Sequence, residues 1–337
     1  MKKNFIILTA VLLCYFSSKS QNNIETYYKL INKADSLNYI VKDKSKAREY
    51  YFKATDLSKK MKIHISFNED GLKILRILAS FGKNEAIKDL FLYMIKNGLN
   101  KNEYIGYKEN ETLLKPFFQT NYASYIETNF DSLYKLHVAT RNLALDFRMV
   151  GLLTQDQFSR RVLNMKGIDD YISYDTIAKL KQFIFNSSDC EIRKSIILIL
   201  KDSIFLRNDN TNYAIGLLKF LLLHNFFNRE LYTVDSICNY VEFYNKVEPI
   251  IKGFVFIGKF KNTEYAYLID RANCWGNKEY SEQIYGTHLD KDRKSLLYPI
   301  YDIKNVDKRR FEIFLPSLYQ ASIIEGFQLP KEYIYQK

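Results

Sequence analysis

The chain has 337 residues, 47% of them hydrophobic, which is enough for real cores and more than one average domain requires. A formal charge of +12 and an isoelectric point near 9.2 invite a nucleic-acid reading. The 50 Lys and Arg are scattered through every segment with no basic arm or single-face stripe, so no nucleic-acid partner is expected. A weak attraction to anionic cell-surface polymers is compatible with that charge.

Lys2 and Lys3 precede an apolar run, FIILTAVLLCYF, that is too short to span a bilayer as a helix. Ser18-Lys19-Ser20 then offers small residues at the two positions a signal peptidase reads, which predicts a signal peptide over 1–20. Its removal would leave 317 residues and lower the charge from +12 to +9, because Lys2, Lys3 and Lys19 depart with it. The expected destination is the periplasm or the exterior. A lipoprotein acylated at Cys14 fits less well, because Leu13 is not the small residue a lipobox needs. No membrane span is expected further on: KFLLLHNFF, 219 to 227, is short and carries His224 and Asn225. Of the remaining cysteines, Cys190, Cys238 and Cys274, two could form a disulfide, or all three could be buried thiols; their spacing fits no metal site.

From Asn22 to about Gly98 the apolar spacing is helical. Tyr27, Leu30, Ile31, Ala34 and Leu37 fall at i, i+3, i+4, and Ala47, Tyr50, Tyr51, Ala54 and Leu57 repeat the pattern. Leu72, Leu75, Ile77 and Leu78 predict a third helix ending near Gly82. Ala86, Ile87, Leu90, Phe91, Met94 and Ile95 predict a fourth, closed by Asn97-Gly98. AREYYFKATDLSKK has the small–aromatic–small pattern of a tetratricopeptide-type helix, so residues 21–115 read as stacked helical hairpins able to offer a groove to a protein partner. An aromatic concave face including Tyr27, Tyr28, Tyr50 and Tyr51 would support that use. The alternative is that the hairpins only cap the second domain.

Residues 100 to 120, with Gly106 and Pro116, read as a polar linker, and 125–330 as the second domain. There Leu133, Leu136, Leu143, Leu145 and Phe147 carry a helical pattern into Leu152-Leu153, and further helices are predicted from Thr154 and near 173–186, 190–206, 211–227, 230–247 and 263–273. Only 253–257, 283–287 and 298–303 look extended. The predicted fold class is therefore mainly α: an N-terminal helical-hairpin, repeat-like domain, then a mostly α-helical C-terminal domain with a few short strands.

The sequence contains no HExxH, GxSxG, GxGxxG, phosphate loop or CxxC. The four histidines, His64, His137, His224 and His288, lack partners at helical spacing, so neither a metal nor a cofactor is implied. What stands out is a set of polar residues in apolar settings. In LLTQDQFSRR, residues 152–161, Thr154 and Gln157 match a capping box. Asp156 would then sit in the first turn, with Arg160 four residues on. His224 lies within an all-round apolar helix, where a hydrogen-bonded core histidine and a catalytic one are both open. Asp270-Arg271 ends another apolar helix. It leads through a turn holding the chain's one Trp to Gln283-Ile284-Tyr285-Gly286-Thr287.

These boxes resemble an uncharacterised bacterial family, domain of unknown function 6624. The resemblance rests on Asp156-Gln157-Phe158-Ser159-Arg160, on Leu222-Leu223-His224, on Asp270-Arg271 with Gln283-x-Tyr285-Gly286-Thr287, and on Val306-Asp307-Lys308-Arg309-Arg310 before Leu315-Pro316. It covers roughly residues 130 to 325. His288 stands where that family has Gln, and the turn before Gln283 is longer. The resemblance supplies candidate site residues, Asp156, Gln157, Arg160, His224, Asp270, Arg271, Gln283, Tyr285 and Thr287, and no reaction.

If 282–287 is extended, Gln283, Tyr285 and Thr287 share one face. Asp270 and Arg271 point about 100° apart on a helix, so pairs such as Arg271 with Asp156, or Asp270 with Arg160, could join the boxes. Such a cluster is either a buried ionic network or a pocket with Arg as anion anchor and Asp156 or His224 as general base. The absence of a visible nucleophile–base pair and the few histidines favour an exported binding or interaction protein with a ligand pocket in the C-terminal domain. The alternative is a hydrolase or transferase acting on a periplasmic or cell-surface substrate.

Overall fold

The computed structural model describes residues 22–61, 69–163, 189–201, 212–226, 239–274 and 281–335, without the side chains of 69, 159–163 and 212–213. The signal peptide, the predicted helix at 173–186, Trp275, Cys238 and the Arg160 side chain lie outside the described residues. The protein is mainly helical, and among the described residues the only β pairings are two isolated bridges, Gln283 with Ile300 and Leu289 with Leu296. No described helix is long and apolar enough to cross a membrane.

The chain divides into two compact units. The first comprises the described residues of Met1–Arg141 together with Phe256–Gly258 and Phe314–Gly326. Its helices are α1 (22–35), α2 (Lys44–Met61), α3 (Glu69–Ser80), α4 (Asn84–Lys96), α5 (Lys101–Asn110), α6 (Lys115–Phe118) and α7 (Asn121–Ala139), with a further helix over Leu318–Glu325. α1 runs into a π-helical turn, Ser36–Val41, closed by Lys42 at φ 64°. α3 packs on α2 and α4, and α4 lies along α7. The i, i+3, i+4 residues of the sequence form their core: Tyr27, Ile31, Ala34, Tyr51, Leu75, Leu78, Phe91 and Met94 are all buried.

Tyr27, Tyr28 and Tyr51 are therefore core residues and Tyr50 packs against them, so they do not form an exposed aromatic face. The polar ends are satisfied inside the unit. Asp35 accepts from the Tyr51 hydroxyl and, at 2.7 Å, from Lys73 Nζ. Burial and the Asp35 charge push the Tyr51 hydroxyl far above its usual pKa.

The stretch read as a linker at 100–120 is folded. Asn100 and Glu103 form a reciprocal capping box that starts α5. Pro116 sits in the first turn of α6, where a missing N–H removes no helical bond. Tyr104 and Phe117 meet the Phe91 ring at 5.2 and 5.7 Å, a set of contacts from other elements that local polarity does not reveal. The segment 314–326 also returns to α1: Asn32 Nδ2 donates to the Phe314 carbonyl at 3.0 Å and Gln320 Nε2 to the Asn32 carbonyl at 2.8 Å.

At the turn after α4, Gly98 has φ 111°, and a Cβ there would come within 3.1 Å of the His137 ring. Gly98→Ala is expected to lower stability by about 1–3 kcal/mol, measured by urea unfolding. An unchanged midpoint would show that the turn tolerates a side chain.

The second unit comprises the described residues of Asn142–Val255, Lys259–Ile313 and Phe327–Lys337. Its helices are α8 (Leu143–Leu163), α9 (189–201), α10 (Asn212–Asn225), α11 (Tyr240–Phe256, up to Val255), α12 (Asn262–Cys274) and α13 (Val306–Glu312), with turns over 281–305. α10 packs against both α8 and α12. Residues 253–257, expected to be extended, instead run through the end of α11. Val247, Ile251, Phe254 and Val255 bury one helical face, and that spacing overrides the local strand preference of GFVFI. Cys190 is disulfide-bonded to a partner outside the described residues, and Cys274 is buried and takes part in no disulfide.

Candidate functional site

α8 starts earlier than the sequence suggested. Asn142 caps it, its side-chain oxygen accepting from Leu145 N at 3.1 Å. Thr154 and Gln157 therefore sit inside the helix and form no capping box. The Thr154 hydroxyl donates to the Val150 carbonyl at 2.8 Å, and Gln157 Nε2 donates to Asp156 Oδ2 at 3.0 Å. The first-turn role for Asp156 falls with that correction.

Asp156 instead meets His224. The Nδ1 of His224, in the last turn of α10, lies 2.6 Å from Asp156 Oδ2. The carboxylate is wholly buried and the imidazole side chain 27% exposed, so the pair runs from the interior outward. An ionised carboxylate only accepts, which puts a hydrogen on Nδ1; in the neutral imidazole Nε2 then carries the lone pair. Among the described residues Nε2 has no hydrogen-bond partner. Arg271 approaches the same helix end, its Nε donating to the Leu223 carbonyl at 3.0 Å.

Asp270, the neighbour of Arg271, serves a different end. Its Oδ1 accepts from Ile284 N at 2.6 Å and Tyr285 N at 2.8 Å, and its Oδ2 from Thr287 N and Thr287 Oγ1, both at 2.7 Å. Burial pushes this carboxyl above its ordinary value, against the pull of all four donors. The segment 282–287 is thus a turn wrapped around an acceptor, and Tyr285 and Thr287 do not line one face of a strand. Gly286, at φ 70°, permits it.

Gln283 closes the turn from the side. Its Oε1 accepts from His288 N at 2.6 Å, and its Nε2 donates to the carbonyls of Tyr298, at 2.9 Å, and His288, at 3.2 Å. Tyr285 is buried, and its carbonyl accepts from Arg310 Nη1 at 2.5 Å. Arg309 Nε donates to the Ile284 carbonyl at 3.0 Å, and Arg309 also reaches the Tyr301 and Asp302 carbonyls.

The nine candidates accordingly separate. Asp156, Gln157 and His224 come together, with Arg271 at the adjoining carbonyl. Asp270, Gln283, Tyr285 and Thr287 build a satisfied loop. The Arg160 side chain is not among those described. Arg309 and Arg310, which hold that loop, were absent from the candidate set although Val306-Asp307-Lys308-Arg309-Arg310 stood out as a box.

His288 also lies outside that set. Its ring stacks on Tyr267 at 4.4 Å and 13°, and its buried Nε2 has no hydrogen-bond partner among the described residues. Burial, helped by the Arg271 charge and opposed by Asp270, pushes the imidazole below its ordinary pKa. The unfolded chain therefore takes up the proton first. Stability should fall as pH drops below about 6.5, levelling off once the folded value is passed. His288→Gln should remove this part of the slope in melting temperature against pH. Parallel slopes for the two proteins would count against it.

Among the described residues no three His, Cys, Asp or Glu side chains gather as a metal-ligand set. No family model, curated protein or solved structure matches the chain.

Proposed function

We propose that this is an exported hydrolase or transferase that acts on a periplasmic or cell-surface substrate with His224 as general acid–base. The Asp156–His224 pair carries the reading. A wholly buried carboxylate 2.6 Å from Nδ1 orients the ring, fixes the tautomer and stabilises the imidazolium formed when Nε2 accepts a proton. Nε2 would take that proton from water or a substrate hydroxyl as it attacks. It would then return the proton to the leaving group, so the base is regenerated each cycle. The chemistry is proton transfer only; no nucleophilic side chain is assigned.

Other observations support parts of this reading. The disulfide at Cys190 fits an oxidising compartment, and with it cleavage after Ser20. The ordered boxes from Asp156 to Pro316 support placing residues 125–330 with domain of unknown function 6624. The helix-on-helix packing of α2, α3 and α4 supports a repeat-like N-terminal domain, which would recruit a protein partner by a surface other than its buried tyrosines. The same carboxylate would also stabilise an imidazolium that only anchors an anion, and the loss of ester hydrolysis in His224→Ala separates proton transfer from such binding.

The test is hydrolysis of p-nitrophenyl acetate and related activated esters by residues 21–337. The wild type should exceed His224→Ala by about 100-fold or more in kcat/KM. Equal rates for the two proteins across the panel would remove the proposal.

A further inference from the structure

We propose that Arg271 is a positioning residue for His224, acting through the Leu223 carbonyl; the inference rests on the general-base reading of His224. The last four carbonyls of a helix have no partner within it, and His224 stands in that last turn. Three successive carbonyls before it are each held. Leu221 O accepts from Asn225 Nδ2 at 3.0 Å, Leu222 O from Phe226 N at 2.9 Å, and Leu223 O from Arg271 Nε at 3.0 Å. The first two bonds are local to the chain, whereas the third comes from α12. A cation at a helix C-terminus is also favoured by the helix dipole.

The direction of Arg271 is set in turn by its neighbour. Four donors from 284–287 grip Asp270 and so fix the rotation of α12 about its axis. Arg271, about 100° further round, is then aimed at α10. Asp156 fixes the ring of His224 at one end, and Arg271 fixes the backbone from which that ring projects. Together they decide where Nε2 stands. The adjacent acidic and basic residues of the Asp270-Arg271 box thus have separate tasks, one on the loop and one on the helix that carries the base.

Proton NMR reads this without a substrate. A ring Nδ1–H bonded to a buried carboxylate gives a far-downfield resonance, which His224→Ala assigns by its disappearance. In Arg271→Ala the resonance should move upfield and exchange with water about 10-fold faster, with Arg271→Lys partly restoring it. On activated esters Arg271→Ala should lose about 10-fold in kcat with KM unchanged, as expected for a misplaced group. If Arg271→Ala does not fold, Arg271→Gln, which keeps an N–H donor at shorter reach, carries the same comparison against Arg271→Lys. A resonance with wild-type position and exchange rate in the folded Arg271 variants overturns the proposal, even where His224→Ala is inactive. A perturbed resonance alongside a fully active His224→Ala overturns the general-base reading and upholds the positioning. Absence of the resonance from the wild type overturns both.

Discussion

Asp270→Asn is expected to lower the melting temperature of residues 21–337 by roughly 6–20 °C. The carboxylate accepts four hydrogen bonds of 2.6–2.8 Å in a fully buried position, three of them from backbone N–H groups that have no other place to turn. Hydrogen bonds to a charged acceptor contribute about 1.5–3 kcal/mol each, against 0.5–1.5 for neutral ones. An amide keeps one acceptor and turns an NH2 toward the Thr287 donors. The net loss should be about 3–5 kcal/mol even after relief of burying the charge. Near-ultraviolet circular dichroism on heating would measure it. A shift under 3 °C would mean that the 284–287 turn is not held by this side chain.

Asp156→Asn should behave in the opposite way. Its carboxylate meets the Gln157 amide and the partly exposed His224 imidazole at Oδ2, where an amide oxygen can still accept from Nδ1 with little loss of stability. Melting within a few degrees of the wild type, or above it, is expected for a residue held at a stability cost for function. Activity should nevertheless fall: His224→Ala by about 100- to 10,000-fold and Asp156→Asn by a similar factor, because the amide no longer stabilises the imidazolium. Esterase rates and melting curves of the same preparations would show both effects. If Asp156→Asn lost 10 °C and kept its activity, Asp156 would be a structural residue.

Much of the helical architecture could be read from the chain because its signal is local. The positions Ala47, Tyr51 and Ala54, or Ile87, Leu90, Phe91 and Met94, repeat at the helical period, and those residues are buried. The same locality caused the errors. Thr154-x-x-Gln157 satisfies a capping pattern over four residues, yet the helix had already been capped at Asn142. The 100–120 stretch is polar by composition, and only contacts of Tyr104 and Phe117 with Phe91 show it to be core. The return of 314–326 to α1 joins residues 288 apart, beyond any periodicity.

The candidate site was legible as residue types and not as pairings. Asp156 and His224 could be singled out because each is polar in apolar surroundings, but their 68-residue separation gave no reason to join them. Asp270 looked like half of an ion pair because side chains are what a sequence names. Its actual partners include three backbone N–H groups, which every residue of the loop possesses. Arg309 and Arg310 went unassigned for a related reason: they donate to carbonyls, not to a carboxylate that the sequence could have matched with them.

The most direct test of the Asp156–His224 pair as one catalytic unit is a double-mutant cycle on kcat/KM, using Asp156→Asn, His224→Ala and the double variant. If Asp156 acts only through the imidazole, the double variant should be no slower than His224→Ala alone. Losses that multiply, with the double variant slower by the product of the two single effects, would contradict the pair and return Asp156 to the scaffold.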